Sequence, residues 1–234
     1  LTLTKVAQPD TPAAPRLRPK LAFKRSPLAA AGVIVAALSS ASFRMVGPIY
    51  GQEVGLSAGQ IGYFLAAFVL GGALAQYPVG WLADKYDRRW VLIWLSVAAV
   101  ASCALSAFAS GMGTYGVMTT AFFFGLTSFP IYSVAAAHAH DFAKDSERVE
   151  LSAALMFYFA LGAIAAPYGA SILISAFGPG ALFVMIATGH ILLIVFGLTR
   201  MRARPAPARR TNYIYAPRTS FLIGRLTRAI RKPD

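Results

Sequence analysis

Residues 80–89 read Gly80-Trp81-Leu82-Ala83-Asp84-Lys85-Tyr86-Asp87-Arg88-Arg89, with five charged side chains packed into ten positions. The apolar run 60–83 leads into this burst and the run 90–109 leads out of it. Each run is about 20 residues or longer, enough for a helix to cross a hydrocarbon core. The decapeptide therefore reads as a charged reversal between two antiparallel spanning helices, and the rest of the chain can be placed relative to it.

Of the 234 residues, 57% are hydrophobic and 13% are charged, and the mean hydropathy is +0.58. That is not the composition of an ordinary water-soluble domain. Six apolar runs stand out, at 28–50, 60–83, 90–109, 114–137, 150–176 and 181–199, here called spans A to F. Single apolar segments cross lipid as helices, because only a helix satisfies its own backbone hydrogen bonds there.

The net charge of +13 suggests nucleic acid until the positions of the basic residues are considered. All but one of the 22 lie before A, between B and C, between D and E, or after F. Positive residues gather on the cytoplasmic side of membrane proteins, so this asymmetry sets both termini in the cytoplasm and removes the case for nucleic acid. The exception is Arg44, inside span A. Trp81, Trp90 and Trp94 stand at the same ends of B and C, where interfacial aromatics collect. Cys103 has no partner for a disulfide and no metal-ligand spacing, so it reads as packing.

Residues 1–27, rich in proline and basic side chains, read as a flexible cytoplasmic linker, 28–200 as one six-span bundle, and 201–234 as a basic cytoplasmic tail. Within the tail, Ser220 to Lys232 alternates apolar and basic residues, as a membrane-surface helix or a disordered basic segment would. The first 27 residues carry no apolar stretch of the kind a cleavable signal peptide needs, and the start at Leu1 rather than Met suggests an upstream part outside this sequence. Short connections around Gly51–Gly59, Gly111–Gly113 and Gly178–Gly180 force sequential antiparallel packing. Ser57 and Gln60 have the spacing of a capping box at the start of B. Small residues recur on one face at multiples of four, Gly72 and Gly80 either side of Gln76 in B and Gly162, Ala166 and Ala170 in E, and suit close helix contacts. Pro78, Pro130 and Pro167 permit bends.

The 80–89 loop resembles the signature loop of the major facilitator superfamily, Gly-x-x-x-Asp-[Arg/Lys]-x-Gly-Arg-[Arg/Lys]. Gly80, Asp84, Lys85, Arg88 and Arg89 match it, and Asp87 replaces the second glycine. Aspartate tolerates a left-handed turn of the kind that glycine supplies. In that family the motif joins the second and third helices of a six-helix half, its position here. Span D lacks the arginine usual in the fourth helix of the amino-terminal half, and a basic proline-rich segment precedes A. The chain thus resembles the carboxy-terminal half, spans A to F standing for helices seven to twelve. The wording of Phe43 to Pro48, Ala75 to Gly80 and Ala136 to Asp141 is similar to a bacterial subgroup called YcaD-like.

The resemblance implies an all-α membrane protein in the bacterial inner membrane, one half of a transporter bundle whose amino-terminal six-helix half is missing. It implies a conformational latch at Gly80, Asp84, Lys85, Arg88 and Arg89. Asp84 would meet the end of a helix in the other half, and the arginines would pair with acids such as Asp141, Asp145, Glu147 or Glu150. Those acids equally suit a solvated helix start.

Arg44 is costly within a span, by about 2.5–3.5 kcal/mol on insertion scales, and normally faces a cavity or a partner. It shares a face with Ser40 and Pro48. Two readings follow: contact with an anionic substrate group or coupling carboxylate, or extension to the external interface beside Glu53. In span D, Thr120, Phe124, Ser128 and Tyr132 form a face of aromatic and hydroxyl groups suited to an organic solute, or to packing. Gln76 and Tyr63 in B are further pathway candidates. His190 reads as a packing histidine. His138 and His140, two residues apart, point to different faces, so no metal is expected, and no cofactor or catalytic constellation is visible. The expected function is secondary active transport of a small organic solute by alternating access, coupled to an ion or proton. A six-span scaffold or partner subunit that transports nothing is the rival.

Overall fold

The computed structural model describes residues 16–203. The readings that fall on 1–15 and on the tail, including the amphipathic segment from Ser220 to Lys232, lie outside the described residues. Eight helices follow one another: α1 Pro19–Arg25, α2 Pro27–Glu53, α3 Ala58–Lys85, α4 Arg88–Ala107, α5 Gly113–Ser128, α6 Pro130–His140, α7 Arg148–Phe177 and α8 Ala181–Ala203. With α5 and α6 counted as one, six are long and apolar enough to cross a membrane.

The helix ends follow local chemistry. Ser57 and Gln60 cap α3 reciprocally, Ser57 N donating to Gln60 Oε1 at 2.8 Å and Gln60 N to Ser57 Oγ at 3.4 Å. Gly178 ends α7 at φ +84°, a conformation costly for any residue with a Cβ, and its N–H returns to the carbonyl of Ile174. Of the prolines expected to bend spans, Pro78 and Pro167 lie inside continuous helices, whereas Pro130 divides span D into α5 and α6. Proline has no N–H for the helix ladder, and Thr127 and Ser128 turn their hydroxyls onto the carbonyls of the preceding turn.

Side by side, α3, α5 with α6, α2 and α7 form a row. Behind it, α4 packs on α5, α6 and α8, and α8 packs on α4, α2 and α7. The closest approach is between α3 and α5. A Cβ on Gly71 would stand 2.0 Å from the Phe122 carbonyl oxygen, and one on Gly125 would stand 1.9 Å from that of Phe68, so each backbone lies directly on the other. In α7, Gly162 meets Ala37 of α2, and Ala166 and Ala170 are buried.

The core has two parts. One, at the end that holds the 80–89 loop, is built largely from alanine, valine and leucine, among them Ala29, Val33, Ala83, Leu92, Ala135 and Leu155. The other is dominated by rings: Phe43 contacts Phe64, Phe68, Phe124 and Phe183, with centroids 4.3–6.3 Å away, and Tyr50 crosses Phe183 edge-on at 4.9 Å. These are called below the charged end and the aromatic end.

One part of the linker expectation fails. Residues 19–25 are not a flexible connector but a helix packed on α7. Pro19 presets its first turn, Leu21 and Ala22 are buried, and Phe23 meets Tyr158 edge-on at 4.9 Å. Arg25 pairs with Glu147 at 2.5 Å and Arg18 with Glu150 at 3.2 Å.

Candidate functional site at the charged end and along the second helix

The 80–89 stretch joins α3 to α4 with a break of two residues, Tyr86 and Asp87. Asp87 lies at φ −63°, and no residue other than glycine among those described has a positive φ, so the left-handed turn expected at this position is absent. Aspartate stands there for another reason. Its carboxylate caps α4 by accepting from Arg89 N at 3.0 Å and grips the Arg89 side chain, Nη2 donating to Oδ2 at 2.6 Å and Nε to both oxygens at 3.1 Å.

Arg88 is the most enclosed charge described, at 1% exposed. It reaches across to the far end of α6, where Nη1 donates to Asp141 Oδ1 at 2.5 Å and to the Ala137 carbonyl at 3.2 Å. Its Nη2 donates to Asp84 Oδ1 at 3.2 Å. A cation at a helix C-terminus meets the negative end of the helix dipole, so α6 and Asp141 hold the same guanidinium. The carboxylate of Asp141 is 2% exposed and that of Asp84 is 43% exposed. One arginine thus ties α3, α4 and α6 together, its inner partner sealed and its outer partner accessible. Breaking such a pair leaves a buried charge uncompensated, which costs far more than the pair contributes. Gly80 is buried one turn before Asp84, and Lys85 lays its ammonium over Trp81 at 4.7 Å and Tyr86 at 5.6 Å. Asp145 pairs locally with Arg148 at 2.9 Å.

On α2, Ser39 accepts or donates at His190 Nε2 of α8 over 2.9 Å. Arg44, five residues further along, lies about 140° around the helix from that contact. It is exposed, on the side of α2 away from α8, with its guanidinium 5.3 Å from the centre of the Phe129 ring at the α5–α6 break. Among the described residues no carboxylate pairs with Arg44, and its expected neighbour Glu53 is not one. Ser40, one turn below on the same face, is buried and donates to the Ala36 carbonyl at 2.8 Å.

The face expected in span D divides. Phe124 is wholly buried among Phe43, Phe68 and Phe183, and Ser128 is 4% exposed with its hydroxyl on the Phe124 carbonyl at 2.5 Å. Thr120 likewise bonds within its own helix, to the Val117 carbonyl. These three face the aromatic core and present nothing to a solute, which corrects their reading as pathway residues. Four-residue spacing shows which side chains share a face and is silent on whether that face looks inward. Tyr132 does reach outward from α6: it is half-buried, with its hydroxyl 2.8 Å from the Met156 sulfur of α7 and its ring edge-on to Phe159. Gln76 is half-buried on α3, and Tyr63 is exposed. His138 is buried, whereas His140 turns towards Ser152 of α7 at 3.1 Å.

Sequence reasoning did not find the α1 contacts with Glu147 and Glu150, because partners about 122 residues apart leave no local spacing signal. It also missed Asp87 as a cap, although an aspartate just before a helix start is the usual cue.

Comparison with known proteins agrees with this architecture. The family model of the Major Facilitator Superfamily matches residues 29–233. An uncharacterized MFS-type transporter of Yersinia pestis (strain Pestoides F) is 31% identical over 170 residues, covering 72% of this chain and 43% of the relative. The uncharacterized MFS-type transporter YcaD of Shigella flexneri serotype 5b is 28% identical over 188 residues, covering 80% and 48%. The chain therefore spans less than half the length of these curated relatives. The fold is similar to that in the in meso crystal structure of the POT family transporter PepTSo, with a TM-score of 0.63 at 18% identity over 87% of this chain and 40% of that one. A six-span, half-sized bundle with this loop and these relatives is a multi-pass membrane protein, and the chain belongs to the Major Facilitator Superfamily.

Proposed function

We propose that this chain is the carboxy-terminal half of a secondary active transporter, which carries a small organic solute by alternating access together with an amino-terminal six-helix half. The observation that carries the reading is Arg44. A guanidinium deep in a spanning helix, exposed and without a carboxylate partner among the described residues, is expensive in lipid and well suited to a water-lined path. It stands about nine residues, roughly 14 Å, from the end of α2, within the depth at which transporters of this build hold their substrates.

In this reading Arg44 receives an anionic group of the solute or of a coupling residue, with Gln76 and Tyr132 along the path. The charged end faces the cytoplasm, in keeping with the positive-inside asymmetry. There the buried Arg88 fixes Asp84 at the surface of the half, ready to meet a helix end of the other half in one state and release it in the next. Gly80, Lys85 and Arg89 shape that loop. An acid in the last turn of α3 sits at the unfavourable end of its own helix dipole, which suits a carboxylate that has a partner elsewhere.

The experiment is side-specific thiol labelling of Arg44→Cys in the complete protein. A residue on an alternating path reacts with a membrane-impermeant maleimide from both sides of the membrane. Reaction from one side only, or from neither, would support a scaffold that transports nothing.

A further inference from the structure

At the charged end the first turn of α2 meets the start of α4, the end of α6 and the end of α8. Between them lies a crevice of about 20 Å³, lined by Ser26, Pro27, Leu28, Arg89, His138, Phe142 and Arg200. That is room for one water-sized group.

Three independent features leave the crevice with hydrogen-bond donors that have no acceptor among the described residues. Arg200, half-buried near the end of α8, pairs with no carboxylate among the described residues. His138 is 3% exposed and makes no hydrogen bond with any described residue; its only ring contact is edge-on to Phe142 at 5.2 Å. An enclosed imidazole whose N–H has no acceptor is costly unless something in the crevice accepts from it. The third feature is the first turn of a 27-residue helix, in which Pro27 has no N–H and that of Leu28 has no acceptor among the described residues. Ser26 takes the next two, Ala29 N on its Oγ at 3.1 Å and Ala30 N on its carbonyl at 3.1 Å. The acids nearby are already engaged, Asp87 by Arg89 and Asp141 by Arg88. With Arg200 counted, the three arginines balance Asp84, Asp87 and Asp141, so what the crevice offers an anion is unpartnered donors rather than net charge.

We propose that this crevice binds a phosphate group, one oxygen of which enters between His138 and the first turn of α2. The space is too small for a whole phosphate, so the remaining oxygens stay outside, where the planar fork of Arg200 can hold two of them. Phosphate at this position comes from the headgroup of a membrane phospholipid or from the free ion. The site depends on the fold alone and is independent of any transport role.

The test is thermal unfolding of the full chain, delipidated in maltoside micelles. Inorganic phosphate is titrated in one arm, with ionic strength held constant by sodium chloride, and phosphatidylglycerol in the other. At least one probe raises Tm saturably, and the probe that acts identifies the source. Arg200→Gln raises the half-saturating concentration at least about tenfold, while Arg202→Gln, an exposed residue outside the crevice, removes the same charge and changes it less than about twofold. His138→Gln, where circular dichroism shows it folded, behaves like Arg200→Gln. If neither probe stabilises the protein, or if Arg200→Gln and Arg202→Gln respond alike, the proposal fails.

Discussion

The two ends of this bundle are held together by different physics. At the charged end, small aliphatic residues let the helices close up, and a few directional contacts fix them: Arg88 between Asp84 and Asp141, Arg89 on Asp87, and α1 tied to Glu147 and Glu150. At the aromatic end the helices share Phe43, Phe64, Phe68, Phe124 and Phe183, and no ion pair occurs there among the described residues. Ring contact is spread over area and tolerates adjustment. A buried guanidinium has few acceptable positions. The first end therefore has few alternative arrangements, and the second can absorb small ones.

The sharpest way to break this contrast is a near-isosteric change at each end. Asp141→Asn leaves Arg88 buried with only the half-exposed Asp84 as a charged partner. Loss of about 3–5 kcal/mol is expected, read as a large fall in Tm. Replacing both members, Arg88→Met with Asp141→Leu, should return most of it, because a well-packed apolar pair has no charge to compensate. Phe43→Leu, at the centre of the ring cluster, should cost only about 1.5 kcal/mol as its neighbours close in. If Phe43→Leu proves as damaging as Asp141→Asn, the two ends do not differ as described.

Smaller effects sharpen the same picture. Arg44→Ala removes a single contact with Phe129, so less than about 1 kcal/mol of stability should be lost, while uptake by the complete protein is abolished. Stability and function separate at that position only if Arg44 serves a path. Glu147→Gln, which releases α1 through a solvent-accessible pair, should give the smallest fall in Tm of the series, and high salt should erase it.

Much of this was legible in the sequence. The six spans lie within a few residues of the observed helices, because runs of apolar residues are bounded by residues that cap or break helices, such as Ser57 with Gln60 and Gly178. Arg88 is recognisable as an arginine in need of a partner, since a charge wedged between two apolar runs must be compensated. What was not legible depended on rotation and distance. Phe124 and Ser128 share a face with Tyr132, but only the packing of α5 on α3 turns that face into the aromatic core. Helix α1 looked like a linker because its stabilising acids stand more than a hundred residues away. Asp87 was read from a family pattern as a substitute for glycine, whereas its own chemistry as a cap gave the better answer.

The central claim is that the Asp84–Arg88–Asp141 unit biases which side of the membrane the Arg44 position faces. It is tested most directly by the rate at which Arg44→Cys is labelled from the charged side in the complete protein, with and without Asp84→Asn. Cys103, the one cysteine of this chain, is buried, and any cysteine of the other half is first replaced by serine, so the background is low. Release of the latch should raise the rate from the charged side several-fold and lower it from the other side. Equal rates in the two proteins would contradict the account.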